Sequence, residues 1–214
     1  MSFTKTIATI GFALLLTGMC VSRSLGQQVP EAKQLPAVIQ YNGDMANLLA
    51  HLPGVYGRTI GLEVDPRHPP ATVGFYLKDP SLADVLNAIT NSAPIYQWSE
   101  REDFIEVVPL RGGSPLLDTH VSNFRVENAG EAEAINQLVN LPEVQAGMNS
   151  MRLRFRGPAN LLTGGSGKRM SFTLQDATVR QILNKIANEN GSRFWVLQRY
   201  SAGGFSISTR PIRN

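Results

Sequence analysis

Apolar residues recur at helical spacing in four places along the chain. In each place they fall at i, i+3 and i+4, and in three of the four also at i+7, so they share one face of a helix. The four stripes are Met45, Leu48, Leu49 and Leu52; Leu82, Val85, Leu86 and Ile89; Ile135, Leu138 and Val139; and Val179, Ile182, Leu183 and Ile186.

Two of these helices begin with the spacing of a capping box, Ser81 with Asp84 and Thr178 with Gln181. Pro142 is predicted to end the third helix. Each helix is too short to be stable alone, so each stripe must be buried.

Short segments with strand-like alternation lie between the predicted helices. They cover residues 37–41, 59–64, 72–77, 95–98 and 104–108 in the first part, and 121–126, 151–155, 169–174, 194–198 and 205–209 in the second. Each part therefore reads β-α-β-β-α-β-β. The sequence predicts an α+β fold of two tandem modules at 37–109 and 119–210, joined by a linker at 110–118. Each module is expected to be a small mixed sheet covered by two helices.

The two predicted modules match residue by residue at a constant offset of 97 positions. The matching residues are Phe75, Leu77, Asp79, Ser81, Leu82, Val85, Leu86, Asn87, Ile89 and Trp98 in the first, and Phe172, Leu174, Asp176, Thr178, Val179, Ile182, Leu183, Asn184, Ile186 and Trp195 in the second. A shared Asp, Asn and Trp at one offset is more than apolar patterning produces by chance. We interpret this as an internal duplication.

Residues 1–26 have the composition of a signal peptide. Lys5 precedes an uncharged apolar run at residues 7–19, and a cut after Gly26 leaves small side chains at the positions that signal peptidase requires. One alternative is a retained membrane anchor, although the run is shorter than the roughly 20 residues that span a bilayer. Another is lipid attachment through Cys20. Cleavage is favoured, so we expect a periplasmic protein with no membrane span after processing.

The charge and cysteine content narrow the possible functions. The net charge of +3 falls to about +1 after cleavage, because the leader contains Lys5 and Arg23 and no acidic residue. Without a broad basic surface, we expect no nucleic-acid partner. Cys20 is the single cysteine and leaves with the leader, so the mature protein can form no disulfide and no thiolate metal site.

The first module resembles the short N-terminal domain shared by outer-membrane secretins and TonB-dependent transducers. The resemblance covers residues 41–44, 61–66 and 73–86 and the closing segment 95–109. Its most specific part is Lys-Asp-Pro-Ser-Leu-Ala-Asp-Val-Leu at residues 78–86. The second module is similar but more divergent, and residues 169–183 carry most of its likeness.

This resemblance implies a periplasmic domain that docks other proteins. In secretins such a domain meets inner-membrane components of a secretion machine, and in transducers it meets the periplasmic part of an anti-sigma regulator. Five residues follow Thr209 here, so we expect a free-standing adaptor of the cell envelope rather than the front end of a pore.

No set of catalytic or metal-binding residues is evident in the sequence. His51, His68 and His120 do not cluster at ligand spacing. The glycine-rich segment 164–168 lacks the spacing of a phosphate-binding loop. We therefore predict that the protein is not an enzyme and needs no cofactor or metal.

The first hypothesis for function is protein recognition, by contact with or addition of a strand at an open sheet edge. The closing hairpins at 95–108 and 194–207 are the candidate surfaces. Their candidate interaction residues are Tyr96, Trp98, Phe104, Phe194 and Phe205.

The alternative is binding of an envelope polymer or small ligand, such as peptidoglycan or anionic lipid, in the groove between the modules. Arg152, Arg154 and Arg156 motivate it, because alternation on a strand would aim the three guanidinium groups at one face.

Overall fold

The computed structural model describes residues 37–64, 66–67, 71–101, 104–158 and 168–209, all within one compact unit that spans Gln34–Asn214. The predicted signal peptide at 1–26, His68 and most of the glycine-rich segment lie outside the described residues. Within them, helices and strands combine in mixed sheets, so the predicted α+β class is confirmed.

The described residues of the first half of the fold, within 37–109, form two helices and five strands. They are β1 (Val38–Asp44), α1 (Met45–Tyr56), β2 (Thr59–Val64), β3 (Thr72–Lys78), α2 (Leu82–Ser92), β4 (Tyr96–Glu100) and β5 (Phe104–Pro109). The second half contains a short 3-10 helix (Pro115–Asp118), β6 (His120–Ala129), α3 (Glu131–Val139), α4 (Pro142–Ser150), β7 (Arg154–Pro158), β8 (Met170–Thr178), α5 (Val179–Asn190), β9 (Phe194–Arg199) and β10 (Gly204–Ser208).

The four helices predicted from apolar spacing are all present, and both predicted capping boxes form. The hydroxyl of Ser81 accepts the Asp84 N–H at 3.2 Å, and the Asp84 carboxylate accepts the Ser81 N–H at 2.9 Å. The Ser81 hydroxyl also donates to the Asp84 carboxylate at 2.6 Å, and this bond, together with that from the Ser81 N–H, lowers the pKa of Asp84. Thr178 and Gln181 make the same reciprocal contacts. Local side chain to backbone bonding therefore determines where α2 and α5 begin.

Helix α4 was not predicted from the sequence. Pro142 was expected to end the preceding helix, but α3 already ends at Val139 and Pro142 is the first residue of α4. Proline suits a first helical position because the N–H that it lacks would have no partner within the helix. The same residue type can thus stop one helix and start the next.

A single six-stranded sheet runs through both halves in the order β4-β5-β2-β9-β10-β7. The expectation of a separate small sheet in each module was wrong on this point. Strand β2 pairs in parallel with β9, from Ile60 opposite Phe194 to Val64 opposite Gln198. Two antiparallel ribbons, β1-β3 and β6-β8, accompany the sheet. The two halves are thus joined by backbone hydrogen bonds.

Two hydrophobic cores meet at β9. Phe194 and Val196 belong to the core that contains the apolar stripes of α1 and α2, whereas Trp195 and Leu197 belong to the core that contains those of α3, α4 and α5. Successive side chains of a strand point to opposite faces, so the two cores lie on opposite sides of this strand. Its unbroken apolar run is typical of a strand that is buried on both faces.

Residues predicted as a linker contribute to this packing. Leu116 and Leu117 of the 3-10 helix are buried in the core of the second half, and Ser114 just before them is also buried. The segment between the two halves is therefore packed against the second half.

Corresponding elements of the two halves also share backbone detail. Asp79 and Asp176, which are 97 residues apart, precede the capping boxes of α2 and α5 and adopt left-handed φ values of 45° and 47°. Asp tolerates this conformation better than most residues because its short side chain bonds locally. The internal duplication itself stays a prediction.

Candidate functional site

Strand β4 forms one edge of the six-stranded sheet. In the part of the chain that the structure describes, it pairs with β5 alone, without a register shift. Hydrogen bonds join Leu110 N–H to the Ile95 carbonyl and Arg101 N–H to the Phe104 carbonyl. In an antiparallel pair the bonded residues alternate, so the peptide groups of Trp98 and Glu100 point away from β5. They are available to another strand.

The opposite edge, β7, carries features that hinder strand pairing. Its ladder with β10 shifts register between Phe205 and Ile207, Gly157 has a φ of 98°, and the strand ends at Pro158. A bulge and a proline on an edge prevent another strand from adding. Strand β4 has neither, which makes it the more accessible of the two sheet edges.

Trp98 on this edge makes a contact that is repeated inside the protein. Its indole N–H donates to the Asn87 side-chain oxygen at 2.9 Å, and Trp195 on β9 donates to Asn184 at 2.5 Å. Trp195 is 1% exposed, whereas Trp98 is half-buried. The difference arises because β2 covers the side of β9 that corresponds to the open side of β4.

Four of the predicted interaction residues are not accessible at the surface. Tyr96, Phe104, Phe194 and Phe205 are all buried, with exposures of 2%, 6%, 0% and 0%. The prediction took them from hairpins that were expected to lie at open edges. Strand β4 is at an edge, but β9 and β10 each have a strand on both sides. The second hairpin therefore offers no free edge, which corrects that part of the prediction.

The three candidate arginines do not share one strand. Arg152 lies in a turn before β7 with a φ of 54°, whereas Arg154 and Arg156 are exposed on β7. The Arg156 guanidinium stacks over the Tyr200 ring, 5.1 Å from its centroid. The predicted face of three parallel guanidinium groups is thus reduced to two, one of which already has an aromatic partner.

A buried cluster of charges, which sequence reasoning missed, joins the two halves. The Arg180 guanidinium on α5 contacts the Glu106 carboxylate on β5 and lies 2.9 Å from Asp118. Glu63 on β2 accepts the Ser114 N–H at 2.6 Å. Glu63, Glu106 and Arg180 are 1%, 4% and 8% exposed. Such side chains are almost never buried unless paired, so the cluster is a structural junction between the halves.

More exposed arginines complete this cluster. Arg199 Nη1 lies 3.9 Å from Glu63 Oε1, and Arg101 Nη2 lies 3.4 Å from Glu106 Oε2. Burial raises the pKa of Glu63, although the Ser114 N–H, Arg199 and Arg180 oppose this rise. Burial also lowers the pKa of Arg180. For Glu63, the loss of water outweighs the favourable charges around it.

The raised pKa of Glu63 predicts a pH-dependent stability. A carboxyl with a raised pKa in the folded state binds its proton more tightly there than in the unfolded state. The stabilisation that this proton gives the folded state is complete at pH values below the pKa of the unfolded state. It is lost as pH rises through the pKa of the folded state. We expect Glu63→Gln to remove this loss, so that the stability of the variant relative to the wild type rises as pH increases from about 4, the ordinary pKa of a glutamate, through the raised pKa of Glu63.

Urea unfolding of both proteins across this pH range measures the effect. The exposed Glu127 provides the matched control, and Glu127→Gln should leave the pH profile close to that of the wild type. A stability difference between Glu63→Gln and the wild type that did not change with pH would contradict the argument.

A cleft of about 940 Å³ lies between the two halves. Its lining includes Arg101 from the first half, and Arg180, Lys185 and Arg193 from the second. Arg101 and Arg180 pair with Glu106, Lys185 pairs with Glu189 at 2.8 Å, and Arg193 donates to a backbone carbonyl. The cleft is thus polar, but its positive charges already have partners, which weakens it as a site for an anionic polymer.

Other kinds of site are not evident in the described residues. His120 lies 3.3 Å from Asp176, but no group of three or more potential metal ligands occurs within the described ranges. None of the helices described is long and apolar enough to span a bilayer. A scan against protein-family models and searches of curated proteins and of solved structures find no match to this chain.

Proposed function

We propose that this protein is a non-catalytic recognition module of the bacterial periplasm, which docks a partner protein by strand addition at β4. The observation that carries the proposal is the contrast between the two edges of the sheet. Strand β4 has outward peptide groups at Trp98 and Glu100 and no bulge or proline, whereas β7 has both. Backbone pairing at a sheet edge is a general mode of peptide recognition.

Side chains beside this edge support a docking role. Trp98 is half-buried, and Leu110, which follows β5 and bonds back to Ile95, is 56% exposed. Large apolar side chains beside free backbone groups add contact area to the hydrogen bonds of an incoming strand. This surface of Trp98, Leu110 and the outward peptide groups of β4 is called the β4 edge below.

We propose as partner an envelope protein of the class suggested by the resemblance of residues 41–109 to the secretin and transducer domain. These partners are an outer-membrane secretin, a TonB-dependent receptor or an anti-sigma component. The protein would then act as an adaptor. The alternative, polymer or lipid binding in the groove, is less favoured, because Arg152, Arg154 and Arg156 do not form one face and the charges of the cleft are paired.

Glu100→Pro tests the proposal directly. The outward N–H of Glu100 does not bond to β5, so proline should remove a donor that the partner needs while leaving the β4-β5 ladder intact. We expect the mature wild type, immobilised, to capture an identified secretin, receptor or anti-sigma component from envelope extract. Capture by Glu100→Pro should fall roughly tenfold.

Glu100→Gln is the matched control, because the proline variant also loses the ion pair of Glu100 with Arg58 at 2.8 Å. The glutamine variant keeps the N–H and should capture the partner as the wild type does. Circular dichroism should show that both variants are folded. Equal capture by the wild type and a folded Glu100→Pro protein would overturn strand addition at β4, and consistent failure of the wild type to capture such a component would overturn the proposed partner class.

A further inference from the structure

The chain already contains one strand bound at the position that is open on β4. Strands β4 and β9 are both the first strand of an antiparallel hairpin, and their tryptophans Trp98 and Trp195 make the same bond to an asparagine on the preceding helix. On β9, the side away from the hairpin is occupied by β2, which runs parallel to it. The β2-β9 contact is therefore a template for what β4 would bind.

In the β2-β9 contact, the residue opposite the tryptophan is a glycine. Gly61 of β2 lies opposite Trp195, and the indole ring packs directly over the Gly61 backbone. A Cβ atom at position 61 would overlap three atoms of this ring. The ring is held in place by its hydrogen bond to Asn184 and by the surrounding core, so it has little room to move. Only glycine fits beside a tryptophan held in this way.

Trp98 is held in the same way, but no strand of the described ranges covers it. Its indole is bonded to Asn87, which is exposed, whereas Asn184 is buried. The side chains on either side of the tryptophan differ in exposure between β9 and β4. Phe194 and Val196 flank Trp195 and are buried, but the corresponding Gln97 and Ser99 are exposed. A partner of β4 would therefore meet a tryptophan on one face and polar side chains on the other.

We infer that the segment recognised by the β4 edge runs parallel to β4 and places a glycine opposite Trp98, with polar residues on either side of the glycine. This inference rests on the proposed strand addition and specifies its ligand. The parallel direction follows from β2, the glycine from the packing of Gly61, and the polar neighbours from Gln97 and Ser99, since exposed polar positions favour polar cross-strand partners. The partner class is thus an extended protein segment with a glycine between polar residues.

The test uses two octapeptides based on residues 58–65, in both of which threonine replaces Ile60 and Leu62. The first keeps Gly61, and the second has valine there. Binding to the mature protein is followed by NMR through the indole N–H signal of Trp98, assigned with a Trp98→Phe variant. We expect the glycine peptide to shift this signal in a saturable way and to leave that of Trp195 unchanged. The valine peptide should bind roughly tenfold more weakly or worse.

A Trp98→Ala variant separates a packing effect from a difference between the peptides themselves. With the ring removed, the two peptides should bind with similar affinity. Equal affinities of the two peptides for the wild type would overturn the glycine requirement, while leaving strand addition at β4 intact. A shift of Trp195 instead of Trp98, or no binding of either peptide to a protein that captures its partner through β4, would also overturn the inference.

Discussion

Replacing Arg180 with methionine should lower the free energy of unfolding by about 3–5 kcal/mol. The Arg180 guanidinium contacts the Glu106 carboxylate, and both side chains are more than nine-tenths buried. Methionine fills much of the same space but leaves Glu106 without its buried counter-charge, and Arg101, which is 61% exposed, compensates it only in part. An uncompensated buried charge is far more costly than the pair is favourable. Urea unfolding followed by circular dichroism measures the loss.

Lys185→Met is the matched control on the same helix. Lys185 pairs with Glu189 in a partly exposed i, i+4 contact, so its loss should cost only about 0.3–0.5 kcal/mol. Combining Arg180→Met with Glu106→Met should restore much of the stability, because the pair is then replaced by apolar groups of similar volume. If Arg180→Met cost no more than Lys185→Met, the buried cluster could not be a structural junction between the halves.

Replacing Trp195 with alanine should cost about 3–5 kcal/mol. Trp195 is 1% exposed, and its removal leaves a cavity between α5 and the backbone of Gly61 on β2. It also removes the donor to the Asn184 oxygen, in a side chain whose buried amide nitrogen has no hydrogen-bond partner among the described residues. The loss should appear in chemical unfolding as a single lowered transition, since β9 belongs to both cores.

Trp98→Ala is the corresponding change in the first half. Trp98 makes the same hydrogen bond but lies half-buried on an edge strand, so its loss should cost only about 1 kcal/mol. The two variants remove the same residue type from the same local structure, which is covered by β2 at Trp195 and is open at Trp98. Similar losses from both would show that the cover provided by β2 adds little to stability, and would weaken the use of the β2-β9 contact as a template for β4.

The elements of the fold were largely predictable because their signals are local. The stripe at Val179, Ile182, Leu183 and Ile186 repeats every three to four residues, and Thr178 with Gln181 sets the start of the helix; both signals lie within one stretch of chain. The helix α4 was missed because its apolar spacing is weak and Pro142 was interpreted as an end. A proline that fits a helix start also fits the position after a helix end.

The site was less predictable, because accessibility is a property of the assembled sheet. Of the candidate residues on the hairpins, Trp98 is partly exposed, whereas Tyr96 and Phe104 on the edge hairpin are buried, as are Phe194 and Phe205 on the inner one. Hairpins at 95–108 and 194–207 look alike in sequence. One ends at an edge and the other lies inside the sheet, and the difference depends on which strand lies beside each of them.

The sequence by itself determined the α+β class, the four predicted helices and the two capping boxes, because short-range spacing and hydrogen bonding decide these features. Only the tertiary structure decided that β2 lies beside β9. The backbone groups of an edge strand can pair with many other strands, so local sequence does not specify the neighbour. The pairing of β2 with β9 also brought Glu63 and Glu106 together with Arg180, and it left β4 at an open edge of the sheet. Partners in the buried cluster are 51 or more residues apart in the chain, so their burial and charge pairing exist only once the two halves are joined.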